Sequence, residues 1–166
     1  DKLDLTEYTQ AALVTTCLAM TKVVQQAGLK SEITAGLSLG EYAAIAAAGG
    51  MDEMDAIRLV RKRGILMQNT VPAGEGGMCA VMAMEAEAIE QVIAGIADVE
   101  VANYNCPGQI VITGKKEAVE TAAVKLKEAG ARRTMMLNVS GPFHSPLLKP
   151  AGDEMKKELD QIQMHP

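Results

Sequence analysis

Gly36-Leu37-Ser38-Leu39-Gly40 is the stretch that decides the fold of this chain. A short apolar run, Glu32 to Ser38, predicts a buried strand, and the small residues from Glu41 to Ala48 predict a helix. A strand that passes at once into a helix is typical of α/β proteins with a parallel sheet. In such a tight turn, glycines flank the serine and its hydroxyl is pushed outward. The motif therefore predicts Ser38 as an acyl-accepting nucleophile.

The residue after the serine belongs to the same prediction. The backbone N–H of Leu39 would lie at a helix N-terminus, where it can stabilise an oxyanion. The structural alternative is a glycine-rich turn that carries only a solvated serine.

A nucleophilic serine needs a base, and the chain has two histidines. His165 is the penultimate residue of a frayed end, which argues against catalysis. His144 lies between Pro142 and Pro146, which restrain the local backbone, and an imidazole can take and return the serine proton. With the serine motif present, His144 is the predicted general base; a capping or packing histidine is the alternative.

Arg63 lies on the apolar face of its predicted helix, Met51 to Asn69, where a charged side chain is unexpected. The other cations of this helix fall on its polar side, whereas Arg63 falls within an apolar stripe. The residues three and four positions away are not acidic, so a buried guanidinium finds no anion on its own helix. Two partners stay open: an acid elsewhere in the fold, or a ligand carboxylate gripped by two parallel hydrogen bonds. The stripe consists of Ala56, Leu59, Val60 and Met67.

The middle of the chain follows a different pattern. Predicted elements run strand, helix, strand, strand, helix, strand, the β-α-β-β-α-β order of a ferredoxin-like unit. We therefore predict an α/β fold in which a body at 1–72 plus 139–166 is interrupted by a small subdomain at 73–138. A first long helix to Ala27 and a last helix from about Pro150 belong to that body. Since the body holds a single predicted strand, its parallel sheet is incomplete in this chain.

Composition narrows the function classes. The chain has 166 residues, 48% of them hydrophobic, and a net charge of -5, which argues against nucleic acid as the main partner. No stretch is long and apolar enough to span a membrane, and the start is not a signal peptide. Cys17, Cys79 and Cys106 show no metal-ligand spacing, so we expect no metal and read them as reduced thiols of a cytoplasmic protein, most simply small core residues.

The chain resembles the malonyl-CoA:acyl carrier protein transacylase family of bacterial fatty-acid synthesis along nearly its whole length. The matching segments occur in the family order and include the serine turn, the Arg63 segment and the His144 segment. Around them stand further matches, so the resemblance is far more specific than the serine turn alone. These segments are Tyr8-Thr9-Gln10, Gly36-Leu37-Ser38-Leu39-Gly40-Glu41-Tyr42, Arg61-Lys62-Arg63-Gly64 with Met67-Gln68, Val71-Pro72, Asn103-Tyr104-Asn105 with Pro107-Gly108-Gln109, and Ser140-Gly141-Pro142-Phe143-His144.

The resemblance implies a hydrolase-like α/β body with a ferredoxin-like insertion, and a role for each site residue. Ser38 would be the nucleophile, His144 its base, Arg63 the ligand of the malonyl carboxylate, and Asn105 a residue near the acyl pocket. Malonyl would pass from malonyl-CoA to Ser38 and then to the phosphopantetheine thiol of acyl carrier protein, without metal or redox cofactor, in a monomer. Phe143 stands where related polyketide acyltransferases that prefer malonyl over methylmalonyl also carry Phe.

Two features depart from the family pattern. Leu37 stands where many members have His, and the family segments that donate the second oxyanion N–H and orient the histidine have no counterpart here. The alternatives are a polyketide synthase acyltransferase domain, a serine esterase or thioesterase, and a non-catalytic module that only docks acyl carrier protein. Lys62, Arg58, Lys115, Lys116 and Arg132 are candidates for a basic docking patch, and a solvated charged surface explains each equally well.

Overall fold

The computed structural model describes residues 2–139 and 141–165. The described chain contains α-helices, a small antiparallel sheet and two short 3₁₀ segments, Lys2–Asp4 and Pro146–Leu148. It divides into two compact units, one up to Gln68 and from Ala151 onward, the other Asn69–Pro150. The helices are α1 Thr6–Gln26, α2 Leu39–Ala47, α3 Glu53–Thr70, α4 Ala86–Ile93, α5 Lys116–Glu128 and α6 Lys149–Leu159; the strands are β1 Gly76–Met82, β2 Val99–Cys106, β3 Gln109–Lys115 and β4 Arg133–Met136.

The first unit is helical. Apolar residues three and four positions apart on α1 and α3 give each helix one buried face, and these faces share a core with residues of α2 and α6. Asp52 begins α3 by accepting hydrogen bonds from the N–H groups of Met54, at 2.8 Å, and Asp55, at 3.3 Å. The buried core residues are Val14, Leu18, Ala46, Met51, Ala56, Leu59, Val60 and Met155.

Helices α1 and α3 approach each other closely at Gly64. A Cβ added there would lie 2.8 Å from the Glu7 Cα, so only glycine lets the two backbones pass at this distance. Polar contacts fix the same pair of helices: Arg61 Nη1 donates to Glu7 Oε2 at 3.1 Å, and the Thr6 N–H donates to Gln68 Oε1 at 3.2 Å. These contacts therefore fix the distance between the neighbouring side chains of α1 and α3.

The strand predicted from Glu32 to Ser38 is wrong. The segment between α1 and α2 has no strand pairing, and Ile33 and Leu37, expected to be buried, are 87% and 66% exposed. A strand exists only where a neighbouring strand supplies hydrogen bonds, and the described residues of this unit contain none. The parallel sheet of the predicted body is consequently not formed within the described part of this unit.

The second unit contains the β-α-β-β-α-β order that the sequence predicts, with element ends displaced by a few residues. Its four strands form an antiparallel sheet in the order β2-β3-β1-β4. Alternate residues of the strands face α4 and α5 and make one apolar core with them. The core includes Cys79, Val81, Ile89, Ile93, Ile110, Ile112, Val119, Ala122 and Leu126.

Candidate active site

Ser38 lies in a strained turn directly before α2. Its backbone angles, φ 51° and ψ -103°, fall in a region that residues with a side chain rarely occupy. The turn is closed by hydrogen bonds from the Gly40 N–H to the Leu37 carbonyl, at 2.9 Å, and from the Glu41 N–H to the Ser38 carbonyl, at 3.3 Å. Strain of this kind persists where the surroundings hold it, often at functional sites.

The two glycines of the motif have different roles. A Cβ on Gly36 would lie 2.0 Å from the Gly40 carbonyl carbon, so this position admits only glycine. A Cβ on Gly40 would meet no described atom within 4 Å outside its own turn of helix. The expectation that both glycines are required by the sharpness of the turn therefore holds for Gly36 and not for Gly40.

The backbone at Leu39 begins α2. As the first helical residue its N–H lacks an intrahelical acceptor, and no acceptor for it occurs among the described residues of this unit. The N-terminal end of the helix also carries partial positive charge. Leu39 thus offers one oriented donor beside Ser38, where it can help to stabilise an oxyanion.

Arg63 extends from α3 to the serine. Its Nη2 donates a hydrogen bond to Ser38 Oγ at 3.0 Å, and its Nη1 donates to Gln10 Oε1 at 2.7 Å. The guanidinium carbon lies 5.8 Å from the centroid of the Tyr42 ring. Among the described residues of this unit, no carboxylate lies within salt-bridge distance of the guanidinium. The acid elsewhere in the fold that the sequence left open is therefore absent from the described part of the unit.

Burial sets the electrostatics of this pair. Burial lowers the pKa of Arg63 from its usual value, and the nearby Tyr42 and Glu41 offset part of this effect. Burial likewise raises the pKa of Tyr42, and the Arg63 charge opposes that change. An arginine stays protonated near neutral pH after such a shift. The site consequently holds a positive charge beside Ser38 that forms no salt bridge with a carboxylate among the described residues of this unit.

Gln10 is the residue that our sequence analysis did not assign to the site. It lies on α1, is 4% exposed, and joins Arg63 through its Oε1. The signal for it was a polar side chain on the buried face of α1, four positions before Val14. In the sequence, Gln10 was noted only as part of the matching segment Tyr8-Thr9-Gln10.

The two other predicted site residues, His144 and Asn105, lie in the second unit. His144 is exposed, adopts φ 60°, and sits in a turn beside buried Ser145, whose Oγ donates to the Pro142 carbonyl at 2.8 Å. Asn105 is exposed near the end of β2. Ser140, the first residue of the His144 segment, lies outside the described residues. The structure thus brings Ser38, Leu39 and Arg63 together in the first unit. His144 and Asn105 belong to the second unit.

Three of the five basic residues considered for docking form salt bridges with acids. Arg58 pairs with Asp55, Lys62 with Glu158 and Lys115 with Asp98, at 3.1, 3.1 and 2.8 Å. Lys115 and Lys116 also line a cleft of about 930 Å³ in which carboxylates outnumber them. These acids are Glu75, Asp98, Glu117 and Glu120. Arg58, Lys62 and Lys115 therefore carry little uncompensated charge that could attract an acidic partner.

The described residues contain no cluster of three or more His, Cys, Asp or Glu side chains arranged to hold a metal ion. No helix in them has the length and apolarity needed to cross a bilayer. Cys79 is buried, as expected of a core residue, whereas Cys17 and Cys106 are exposed, which that expectation did not foresee.

Comparison with known proteins identifies the family. The model of the acyl transferase domain family matches residues 1–166. The chain belongs to the acyl transferase domain family. Among curated relatives of this acyl transferase chain, the malonyl CoA-acyl carrier protein transacylase of Bacillus subtilis is 48% identical over 164 residues, which are 96% of this chain and 52% of the relative.

Solved structures agree with this assignment. An acyl carrier protein S-malonyltransferase from Vibrio cholerae matches with a TM-score of 0.93 and 47% identity, over 99% of this chain and 55% of that one. A malonyl-transacylase in complex with a type II PKS acyl-carrier protein matches with a TM-score of 0.95 and 43% identity, over 98% and 54%. The acyl transferase chain therefore spans about half the length of the relatives that it matches.

Proposed function

We propose that this chain carries the acyl-transfer centre of a malonyltransferase, which moves malonyl from coenzyme A to the phosphopantetheine thiol of acyl carrier protein. The observation that carries the proposal is the hydrogen bond from Arg63 Nη2 to Ser38 Oγ, at 3.0 Å. It joins a strained serine to a half-buried guanidinium that has no carboxylate partner among the described residues of its unit. A cation beside the reacting oxygen favours an acyl group that bears its own carboxylate.

In the first half-reaction, Ser38 Oγ attacks the thioester carbonyl carbon of malonyl-CoA while His144 takes the hydroxyl proton. The Leu39 N–H stabilises the negative oxygen of the tetrahedral intermediate. The carbon–sulfur bond then breaks, and the proton passes from His144 to the departing thiolate of coenzyme A. In the second half-reaction, the phosphopantetheine thiol gives its proton to His144 and attacks the Ser38 ester, and the serine oxygen recovers the proton.

Arg63 supplies selectivity in this scheme. Guanidinium and carboxylate form two parallel hydrogen bonds, so a malonyl carboxylate gains contacts that an acetyl methyl group cannot make. Asn105 would line the acyl pocket, and the Phe143 ring would occupy the volume that an α-methyl group needs. Both of these roles rest on the family resemblance.

The relatives support the substrate and the partner. The B. subtilis protein is named a malonyl CoA-acyl carrier protein transacylase, and a structural neighbour is held in complex with its acyl-carrier protein. We extend both to this chain, with the reaction placed in the cytoplasm and a monomer as its working form. The proposal also includes the finer fold, a hydrolase-like body at 1–72 plus 139–166 and a ferredoxin-like subdomain at 73–138. The sheet order β2-β3-β1-β4 supports the ferredoxin-like assignment.

One observation favours a second candidate. The carrier protein bound to the structural neighbour belongs to a type II polyketide system. An acyltransferase that serves polyketide synthesis would use the same chemistry with a different carrier protein. Measuring transfer to a fatty-acid and a polyketide carrier protein side by side separates these two candidates.

Intact-mass measurement tests the proposal. The chain is mixed with malonyl-CoA or with acetyl-CoA, beside Ser38→Ala and Arg63→Ala. We expect one malonyl adduct on the wild type, none on Ser38→Ala, and a shift from malonyl toward acetyl on Arg63→Ala. Matched controls are Ser31→Ala, an exposed serine of the same unit, and Arg58→Ala, an exposed arginine of the same helix. A wild type that stays unmodified, or an adduct that survives Ser38→Ala, would refute the proposal.

A further inference from the structure

Gln10 is a buried polar side chain that no step of the proposed reaction uses. It is 4% exposed, and a buried amide is costly unless its polar atoms are satisfied. Its Oε1 accepts from Arg63 Nη1 at 2.7 Å, and its Nε2 donates to Met67 Sδ at 3.3 Å. Because sulfur is a weak acceptor, the strong contact of this amide is the one to Arg63.

The backbone around Gln10 is held in place against α3. Gly64 sits against the backbone of Thr6 and Glu7, one turn before Gln10 on α1. Glu7 also accepts from Arg61, and Thr6 donates to Gln68, so the helices meet on both sides of Arg63 along α3. These contacts give the amide of Gln10 a defined position relative to the guanidinium.

The neutrality of Gln10 matters for the site. An amide oxygen can orient a guanidinium through a hydrogen bond without cancelling its charge, whereas a carboxylate at the same place would form an ion pair. With Nη1 committed to Gln10, the guanidinium directs Nη2 to Ser38 Oγ. The positive charge thus remains available where an acyl group would arrive.

We propose that Gln10 is a positioning residue for acyl selection: its amide fixes the Arg63 fork beside Ser38 while leaving the charge free for a substrate carboxylate. This role rests on the proposed malonyl transfer and deepens it. Gln10 contacts neither the reacting oxygen nor a substrate in this scheme; it acts through Arg63.

The isosteric variant Gln10→Glu provides the test. It keeps the shape and the acceptor oxygen, and adds a negative charge that pairs with Arg63 in place of the substrate carboxylate. We expect the ratio of malonyl to acetyl adduct, taken from an equimolar mixture of the two CoA thioesters, to fall by about tenfold or more. Gln10→Met, which removes the acceptor and keeps the volume, should lower the ratio by a smaller factor.

Gln68→Glu is the matched control. Gln68 also joins α1 to α3, by accepting from the Thr6 N–H, whereas the hydrogen bonds of Arg63 to described side chains go to Gln10 and Ser38. If Gln10 only holds the helices together, both Glu variants will alter thermal stability and leave the adduct ratio unchanged, which overturns the inference. A ratio that falls in Gln10→Glu and not in Gln68→Glu supports it.

The same experiment separates this inference from the proposed function. A wild type that takes malonyl, with a Gln10→Glu variant that keeps the preference, contradicts only the role of Gln10. A wild type that takes neither acyl group contradicts the proposed function and removes the role of Gln10 with it.

Discussion

Arg63 Nη2 donates a hydrogen bond to Ser38 Oγ over 3.0 Å, across 25 positions of sequence. The contact joins helix α3 to the turn that precedes helix α2. A guanidinium donating to a hydroxyl stabilises the oxygen as negative charge develops on it. The same group has no carboxylate partner within the described residues of its unit, and in the proposed function this one side chain favours the serine anion and binds an anionic acyl group.

Replacing Arg63 with Lys tests the fork geometry of this contact. Lys keeps the charge but offers a single nitrogen, which cannot reach Gln10 and Ser38 in parallel. We expect malonyl acylation of Ser38 to slow by about tenfold, while acetyl acylation changes less. Rapid-quench intact mass gives both rates; equal losses for the two acyl groups would contradict a role in carboxylate recognition.

The backbone strain at Ser38 leads to a prediction about stability. At φ 51° a residue with a Cβ is strained, whereas glycine adopts such angles freely. We therefore expect Ser38→Gly to be more stable than Ser38→Ala by about 1 kcal/mol, although both lack the hydroxyl. Urea unfolding followed by circular dichroism measures the difference. Equal stability of the two variants would show that the turn is unstrained.

The two glycines of the turn give a matched pair. Gly36→Ala places a Cβ 2.0 Å from the Gly40 carbonyl carbon and should cost about 2–3 kcal/mol of unfolding free energy. Gly40→Ala lies in the first turn of α2 with open space around its Cβ, so we expect a change within about 1 kcal/mol, toward higher stability. Urea midpoints of the two variants decide; a similar loss in both would contradict the geometry of the turn.

The core of the second unit can be tested on α5. Leu126 is 0% exposed within the sheet–helix core, and its replacement by Ala should cost about 2–5 kcal/mol. Val124, two positions earlier on the same helix, is 59% exposed, so Val124→Ala should cost under about 1 kcal/mol. Thermal unfolding of the pair measures both, and a large loss in Val124→Ala would show that this face of α5 is covered in solution.

The cysteines should separate by reactivity. Burial raises the pKa of the Cys79 thiol and also blocks access to it, so at pH 8 it holds less of the reactive thiolate than an ordinary thiol. Cys17 and Cys106 are exposed. We expect iodoacetamide to label these two in the native chain and Cys79 only after denaturation. Peptide mapping by mass spectrometry locates the labels; native labelling of Cys79 would contradict the buried β1.

The sequence by itself determined the features that depend on neighbouring residues. The serine turn involves only Gly36 to Gly40, and a clash within five positions makes Gly36 obligatory wherever the turn forms. The β-α-β-β-α-β order likewise follows from periodicities of two and about four residues, each visible within one element. Element ends were less certain, because they depend on capping and pairing.

Only the tertiary structure decided how Arg63 is satisfied. From α3 alone, an acid elsewhere and a ligand carboxylate were both possible partners. Packing of α1 brought Gln10 from 53 positions away, and the turn brought Ser38 from 25. The predicted strand at Glu32 failed for the same reason, since pairing needs a partner strand that a local pattern does not contain. Contacts between distant residues depend on how helices pack, and packing depends on the shapes of both contacting surfaces. A periodic sequence pattern shows only which face of one helix is apolar.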